Sequence, residues 1–372
     1  PGDTSSASWL HPLKGWSLRE RRGGSGRRAK RELPVPGSGH RCKLNEISPA
    51  TGKLLAMSFL SGVGPATLRT ASQVFGFEDK SVEQLAVDIP KLKSALSGGG
   101  WSDALIKAEE QLDLAERSGC SILSPMDLDY PKLLAATKDD PFLLWVRGTL
   151  APSPEKSVAI IGTREPTEHG KLIAQRMTRY FVDQGWSVVS GLALGCDGIA
   201  HQEAVDAGGH TVAVLAHGLQ TIAPSKHRKL AEDILNAGGA LVSQYPIGRD
   251  AIPQQFVQRD KTQAGMAQGV VMIQSDLQGG SLHASRASIE YGRWLAVPYP
   301  TEQDRGRNEP KIQANLRLAD GSESERMELL RLKESGGLSR ILVLRSKDDY
   351  ARCLASTSAP AIEKPASQGS MF

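Results

Sequence analysis

The chain has 372 residues, 40% of them hydrophobic and 23% charged, which is typical of a globular protein with room for two domains. No apolar run approaches the roughly 18 residues that a membrane-spanning helix needs, so the sequence predicts no contact with a membrane. The cysteines form no C-x-x-C pair, which argues against a zinc site or a disulfide framework and favours a reducing, cytoplasmic location. They are Cys42, Cys120, Cys196 and Cys353.

The net charge of +4 comes from one end of the chain. Residues 1–43 carry +7, whereas all later residues together carry −3. The first 43 residues lack an apolar pattern and are rich in Gly, Ser and Pro, so they predict a disordered basic extension. This extension is either a nucleic-acid-binding tail or sequence upstream of the folded protein. A nucleic-acid site in the folded body must therefore be a local basic patch.

Residues 44–150 predict a small helical domain. A helical run at 54–69 is interrupted by Gly62–Gly64 and resumes at Pro65, a residue typical of a helix start. The turn resembles a helix-hairpin-helix motif, whose backbone N–H groups can hold a phosphate. A tight connection without a ligand explains it equally well. Further helices are predicted at 82–96 and 102–118.

Residues 151–350 predict a parallel sheet covered by helices. Six short runs of Val, Ile, Leu and Ala end in Gly, Ser, His, Asp or Pro, and helical patterns separate most of them. Continuous apolar runs indicate strands that are buried on both faces. The runs begin near residues 158, 187, 211, 240, 270 and 294. Another strand is predicted at 341–344, and a disordered tail at 351–372.

Helices are predicted between and after these strands, at about 168–184, from 197, and at 225–237, 259–267, 281–292 and 324–335. The helix at 225–237 has a basic first turn that opposes the helix macrodipole. An anionic ligand would remove this conflict, although solvated side chains are the alternative. The cations of this turn are Lys226, Arg228 and Lys229.

Two glycine-rich turns follow the first two strands, at the sheet edge where parallel sheets bind ligands. Gly162 and Thr163 leave room for a ligand, and Arg164 can form paired hydrogen bonds with a phosphate. Ser190 and Gly191 open the second turn, whose free N–H groups could hold an anion. Each turn is a candidate phosphate contact.

Asp197 and His201 close the second turn and begin the next helix. We interpret Asp197 as a helix N-cap and His201 as a packing or capping residue. A third candidate anion cradle is Gly279 and Gly280 with Ser281 at the N-cap of a helix.

An aromatic side chain beside cations is the remaining candidate contact. Phe256 lies close to Arg259 and Lys261 in a predicted loop. Stacking combined with charge is how single-stranded nucleic acid is held without sequence readout. Three turns and one such loop at a single sheet edge predict a nucleic-acid site.

The sequence contains no recognisable catalytic set and no cofactor motif, so it predicts a protein that is not an enzyme. The nucleophile elbow, H-E-x-x-H, P-loop and G-x-G-x-x-G patterns are all missing. Asp197, His201 and Glu290 are the nearest approach to an acid–base site, but no pattern brings them together.

These motifs resemble those of the DNA-processing protein A family (DprA, also called Smf) between about residues 54 and 350. The family's G-S-R turn corresponds to Gly162–Arg164, and its S-G-L-A-x-G-x-D-x-x-A-H motif corresponds to Ser190–His201 without a gap. Its G-S-L-I-T-A motif and the following G-R correspond to Gly280–Ser285, Ala287, Gly292 and Arg293. Its D-x-x-Y-P-x-x-L stretch corresponds to Asp127–Leu134.

The resemblance implies an extended Rossmann-like fold with a helical N-terminal domain. It implies a homodimer that binds single-stranded DNA in a basic pocket and loads RecA recombinase on incoming DNA during natural transformation. Arg164 takes the place of the family's pocket arginine. Arg259 and Lys261 match basic members of its F-x-R-R-N-R segment.

This chain also departs from the family pattern. The R-R-N-R segment reads Gln258–Lys261 here, so one cation is lost and an acid is gained, and Y-P-x-x-N reads Ala223–His227. At roughly one unit of salt slope per phosphate contact, weaker DNA binding is expected unless the cations at 226–229 compensate. The winged helix that ends many members has no match, so a divergent member is expected.

Two alternatives stay open beside a DNA-binding mediator. A nucleotide sensor or a phosphoribohydrolase of the cytokinin-activating type shares this kind of sheet. The hydrolases carry P-G-G-x-G-T-x-x-E, and the nearest match, Gly279–Ser285, lacks the second Gly and the properly placed Glu. A scaffold that binds only protein partners is the third possibility.

Overall fold

The computed structural model describes residues 47–97 and 100–356. The predicted basic extension at 1–43 and residues 357–372 of the predicted tail lie outside these ranges. Within the described ranges, helices come first and a nine-stranded sheet follows. No helix of this part of the chain is long and apolar enough to cross a bilayer.

The N-terminal region contains the helices that the sequence predicts, with one division. Pro65 begins the second helix and Gly64 is its N-cap. The helix predicted at 82–96 is two helices, because Pro90 disfavours helical geometry at Ile89, which is extended. The helices are α1 (Pro49–Ser58), α2 (Pro65–Ser72), α3 (Val82–Asp88), α4 (Pro90–Leu96) and α5 (Trp101–Arg117).

All seven predicted strands form, and they join one sheet with two more. Its strands are β1 (Cys120–Leu123), β2 (Leu144–Gly148), β3 (Ser157–Ile161), β4 (Ser187–Ser190), β5 (Thr211–Leu215), β6 (Ala240–Ser243), β7 (Gly269–Met272), β8 (Trp294–Pro298) and β9 (Ile341–Leu344). The spatial order is β1-β2-β6-β5-β4-β3-β7-β8-β9. The pairs from β6 through β9 are parallel, which confirms the predicted α/β class.

Strands β1 and β2 correct the predicted domain boundary at residue 150. They come from the segment assigned to the helical domain, yet β2 pairs antiparallel with β6 and β1 with β2. The two apolar runs follow the helical region in the sequence. Their local pattern does not indicate which edge of the sheet they extend. The sheet therefore begins at residue 120.

Helices cover both faces of the sheet. They are α6 (Lys132–Ala135), α7 (Glu168–Asp183), α8 (Cys196–Asp206), α9 (Arg228–Asn236), α10 (Pro253–Gly265), α11 (Ser281–Glu290), α12 (Glu302–Gly306), α13 (Gln313–Asp320), α14 (Glu323–Leu330) and α15 (Ala351–Ala355). Val158 and Ile160 of β3 pack with α7 and α8, whereas Ala159 and Ile161 pack with α10, α11 and α13. This alternation follows the two-residue period of a strand.

The end of the domain lies further along the chain than the sequence suggests. Helix α15 falls inside the tail predicted to be disordered from residue 351, and Cys353 is fully buried with the α7 cluster. Cys353 is the buried residue of α15, and its neighbours are mostly small or polar. A single buried position of this kind does not predict a helix.

The helical region packs firmly against the sheet domain. Its core side chains share one cluster with Leu230 and Ile234 of α9. The Gln111 side chain of α5 makes two hydrogen bonds to the Ile247 backbone, of 3.0 and 2.9 Å. Asp127, the first residue of the D-x-x-Y-P stretch, accepts hydrogen bonds from the hydroxyls of Ser48 and Thr51, each at 2.6 Å. That stretch therefore joins the two regions.

The strand order places a topological switch point between β3 and β7. From β3 the chain continues to β4 on one side, and from β7 it continues to β8 on the other. Such points open a crevice at the carboxyl ends of the strands, where α/β proteins bind ligands. The predicted anion turns after β3, β4 and β7 all lie at this edge.

Candidate nucleic-acid interface

The turn after β3 presents Arg164 to solvent. Gly162 permits close packing, since a Cβ there would lie 2.6 Å from the Cys196 Sγ atom. The Thr163 N–H donates to the Gln274 carbonyl across the switch point at 2.8 Å, and its carbonyl accepts from the Cys196 N–H at 3.1 Å. This frame holds the turn, and the Arg164 side chain is exposed.

The turn after β4 is occupied by the protein's own groups. Ser190 is buried, and its hydroxyl donates to the Ile160 carbonyl at 2.6 Å. The Gly191 N–H donates to the Asp197 carboxylate at 3.2 Å, and its carbonyl accepts from Arg259 at 2.5 Å. The prediction that Ser190 and Gly191 hold an anion is therefore corrected, because both residues are used within the fold.

Asp197 and His201 also contribute to the fold. Gly195, not Asp197, is the N-cap of α8, and Asp197 instead closes the turn at Gly191. Burial raises the pKa of Asp197 to about 6, although the positive charge of Arg259 lowers it. Burial lowers the pKa of His201 to about 3, and its Nδ1 lies 2.7 Å from the Thr211 hydroxyl. His201 is a buried packing residue, in agreement with the sequence interpretation.

A cleft of about 700 Å³ opens between Arg164 and the first turns of α8 and α9. Its floor includes Gly195 and Gly198, near the N-terminus of α8, where the helix dipole favours an anion. A Cβ at Gly198 would lie 2.5 Å from the His227 ring, so a larger residue would displace that ring. The basic side chains that line the cleft are Arg164, Lys171, Lys226, His227 and Lys229, and the acidic ones are Glu165 and Asp233.

The cations of this cleft differ in whether they form ion pairs with nearby carboxylates. Lys171 pairs with Glu168 and Lys229 with Asp233, each at 2.6 Å. Arg164 and Lys226 are exposed and stand out as the cations best placed for a ligand. Arg228, the first residue of α9, is exposed but does not line the cleft.

The segment with the aromatic residue is a helix, which corrects the predicted loop. It lies within α10, and the Phe256 ring remains 36% exposed. Arg259 is only 6% exposed, and its guanidinium donates to Gly191, Val214 and Asp260. Lys261 pairs with Asp139 at 2.9 Å. Arg259 and Lys261 therefore serve the fold in this conformation, and Phe256 keeps a surface that can stack.

The turn after β7 is more acidic than the sequence suggested. Ser281 begins α11 and donates to the Ser275 hydroxyl at 2.8 Å, whereas the N-cap is Gly280. Lys311, which the sequence did not single out, lies 3.9 Å from Glu165 and 3.8 Å from Asp276. It bridges the turns after β3 and β7. Gly279 and Gly280 lie on the same edge as Arg164, but beside a carboxylate.

Nothing in the described ranges assembles a metal site from three or more His, Cys, Asp or Glu side chains. The basic cleft is the feature of this edge that suits a polyanion.

Replacing Gly195 with alanine is expected to lower the free energy of unfolding by about 2–3 kcal/mol. Gly195 has φ +75° and ψ −129°, and a Cβ there would lie 2.4 Å from the Arg164 carbonyl oxygen. Urea unfolding measures the loss. Gly208→Ala is the matched control, since Gly208 has φ +68° and a Cβ added there would meet nothing within 4 Å. Equal losses in the two variants would show that the close approach is unimportant.

Parts of this chain are similar to known proteins. A family model described as DNA recombination-mediator protein A matches residues 121–318, more than half of the chain. The chain belongs to this family. Protein Smf of Escherichia coli K12 is 36% identical over 180 residues, which are 48% of each chain. DNA processing protein DprA of Bacillus subtilis is 34% identical over 171 residues, 45% of this chain and 57% of the relative.

The DprA/Smf resemblance inferred from the motifs is thus confirmed. This family member spans about half the length of the curated relatives it matches. The X-ray structure of DprA from Streptococcus pneumoniae matches with a TM-score of 0.60 at 21% identity, over 84% of this chain and 99% of that chain. That likeness confirms the family fold, including the helical region before the sheet.

Proposed function

We propose that this chain is a non-catalytic mediator that binds single-stranded DNA in the cleft between Arg164, Lys226 and the N-terminus of α8. The observation that carries the proposal is the exposure of Arg164 at the mouth of a basic cleft, at the carboxyl ends of the strands. A flexible single strand can follow such a cleft, and the exposed Phe256 side chain on α10, which does not line the cleft, offers a stacking surface nearby in the chain to Arg259.

Membership of a recombination-mediator family supports the finer parts of this proposal. We extend it to loading of RecA recombinase on incoming DNA during natural transformation, by a homodimer. Filament assembly by RecA on DNA coated with a single-strand-binding protein tests the loading step. The molar mass in solution tests the dimer.

The alternative of a phosphoribohydrolase gains no support at its best-matching segment. Ser285 is buried there, and its hydroxyl donates to the Ser281 carbonyl at 3.0 Å. The segment presents no carboxylate in the position that the hydrolase motif requires. Release of free base from a nucleoside monophosphate would restore this alternative.

Arg164→Ala is expected to weaken binding of a labelled oligothymidylate by about 10- to 100-fold, since a charged hydrogen bond contributes about 1.5–3 kcal/mol. The slope of log K against log salt should fall by about 0.7 per lost phosphate contact. Fluorescence anisotropy across a salt series measures both quantities.

Lys156→Ala is the matched control for this experiment. Lys156 is an exposed cation at the amino end of β3, on the opposite edge of the sheet. It should leave affinity and slope nearly unchanged. Equal losses in the two variants, or a wild type that fails to bind at low salt, would contradict the proposal.

A further inference from the structure

A second group of cations lies on the other face of the sheet, around α11 and the end of α14. His283 and Arg286 are three residues apart on α11, so their side chains share one face of the helix. The Arg286 Nε donates to the Leu329 carbonyl in the last turn of α14 at 3.0 Å. Arg331 follows α14 directly and is exposed.

The backbone at Arg331 is in an unusual conformation. Its φ of 55° and ψ of 40° are left-handed, a region that glycine adopts more easily than arginine. Arg331 ends α14 there, beside the carbonyl that Arg286 holds. The chain thus places a second arginine next to the first.

The charges of Arg286 and Arg331 oppose each other, and both disfavour a positive charge on His283. Burial lowers the pKa of His283, and the charges of Arg286, Arg331 and Lys261 lower it further. Burial also lowers the pKa of Arg286, with Arg331 as the next contributor. An anion between these side chains would relieve the repulsion.

Neighbouring carboxylates are engaged with other cations. Asp139 pairs with Lys261 at 2.9 Å, and Glu290 pairs with Lys138. Within residues 47–97 and 100–356, no Asp or Glu oxygen lies within 4.0 Å of a charged nitrogen of Arg286 or Arg331. The positive charge of this group is therefore uncompensated by a direct ion pair.

We propose that His283, Arg286 and Arg331 form a second phosphate site, which takes a later phosphate of the single strand held in the Arg164 cleft. This inference rests on the proposed function. We call these three residues the α11 cluster.

The two sites follow neighbouring strands of the sheet, β3 and β7. Helix α11 begins directly after the Gly279–Gly280 turn, and His283 lies in its first turn. The neighbouring β3 turn carries Arg164, and the Thr163 N–H joins it to Gln274 at 2.8 Å. Space around Gly280 is open, since a Cβ added there would meet nothing within 4 Å. A strand that joins the two sites would cross this turn, where Lys311 offsets the charges of Glu165 and Asp276.

The test is binding of two oligothymidylates, one short enough to fill only the Arg164 cleft and one several times longer. Arg331→Gly removes the charge and suits the left-handed backbone, so the variant should fold. It should weaken binding of the long oligonucleotide by about 3- to 10-fold and lower its salt slope by about 0.7, without affecting the short one. Arg164→Ala should weaken both, and Lys156→Ala neither.

A long oligonucleotide that binds Arg331→Gly as tightly as wild type, with Arg164→Ala still defective, would overturn this inference and leave the proposed function intact. If wild type binds neither oligonucleotide, both the proposed function and the assignment of this site to DNA fail.

A second measurement addresses anion binding by itself. Titration of the full chain with inorganic phosphate should move the NMR ring signal of His283, and Arg331→Gly should reduce this movement. The Arg164→Ala variant should leave it unchanged. A His283 signal that phosphate does not move in wild type would overturn the α11 cluster as an anion site.

Discussion

Replacing Arg259 with alanine is expected to lower the free energy of unfolding by about 3–5 kcal/mol at neutral pH, because a buried charge network then loses one partner. The guanidinium donates to the Gly191 carbonyl at 2.5 Å, to the Val214 carbonyl at 3.2 Å and to the Asp260 carboxylate at 2.9 Å. Its removal leaves Asp260 and Asp197 in a buried environment without their shared cation. Urea unfolding in the absence of DNA measures this loss.

The size of this loss should depend on pH. Burial raises the pKa of Asp197 to about 6, above the value of about 3.9 expected in the unfolded chain, and burial also raises the pKa of Asp260. Protonation of these groups therefore favours the folded state at low pH, and this stabilisation is lost as the pH rises through about 6. Arg259 opposes both shifts, so its removal should cost more at pH 8 than at pH 5.

Two variants serve as controls for this prediction. Asp260→Asn in the Arg259→Ala background should recover part of the loss at pH 8 and less at pH 5. Arg307→Ala removes an exposed arginine and should change the free energy of unfolding by less than about 0.5 kcal/mol. A stable Arg259→Ala protein that only loses DNA binding would return Arg259 to the role of a direct contact.

Arg293→Ala is expected to lower the free energy of unfolding by about 3 kcal/mol, through loss of a cap that serves two helices. The Arg293 guanidinium donates to the carbonyls of Ala264, Gly265, Ala267 and Leu133 at 2.5–2.8 Å. These carbonyls belong to the ends of α10 and α6, where helices leave acceptors unsatisfied. Burial lowers the pKa of Arg293 to about 10, in keeping with its enclosed position.

Thermal unfolding and urea unfolding measure this effect, and Arg293→Lys is the matched variant. An ammonium group keeps the charge but cannot reproduce the planar set of donors, so lysine should recover about half of the lost stability. Folded Arg293→Ala protein should bind DNA normally at low temperature. A loss of DNA affinity without a loss of stability would contradict the capping role.

The parallel strands were predictable because each one is buried on both faces. Runs such as Val158–Ile161 must be continuous and apolar, since both alternating sets of side chains meet helices. The antiparallel strands β1 and β2 carry similar runs, but their place beside β6 depends on pairing with residues about 95 positions later. No local pattern contains that information.

The candidate site was predicted in part. Arg164 and Lys226 lie at a basic cleft at the expected edge of the sheet. Arg259 and Lys261 looked equally suitable in the sequence, yet their partners Gly191 and Asp139 lie 68 and 122 residues away. Lys311 was missed because its two acidic neighbours, Glu165 and Asp276, come from different turns.

The sequence alone determined the family, the parallel sheet and the edge where unusual residues gather, because these follow from local apolar runs and contiguous motifs. Only the tertiary structure decided which cations remain free for a ligand. The charge of a side chain follows from its residue type. Whether that charge is exposed depends on the carbonyls and carboxylates that distant segments of the chain place beside it. For that reason Arg164 and Arg331 are candidate phosphate contacts, whereas Arg259 and Arg293 hold the fold together.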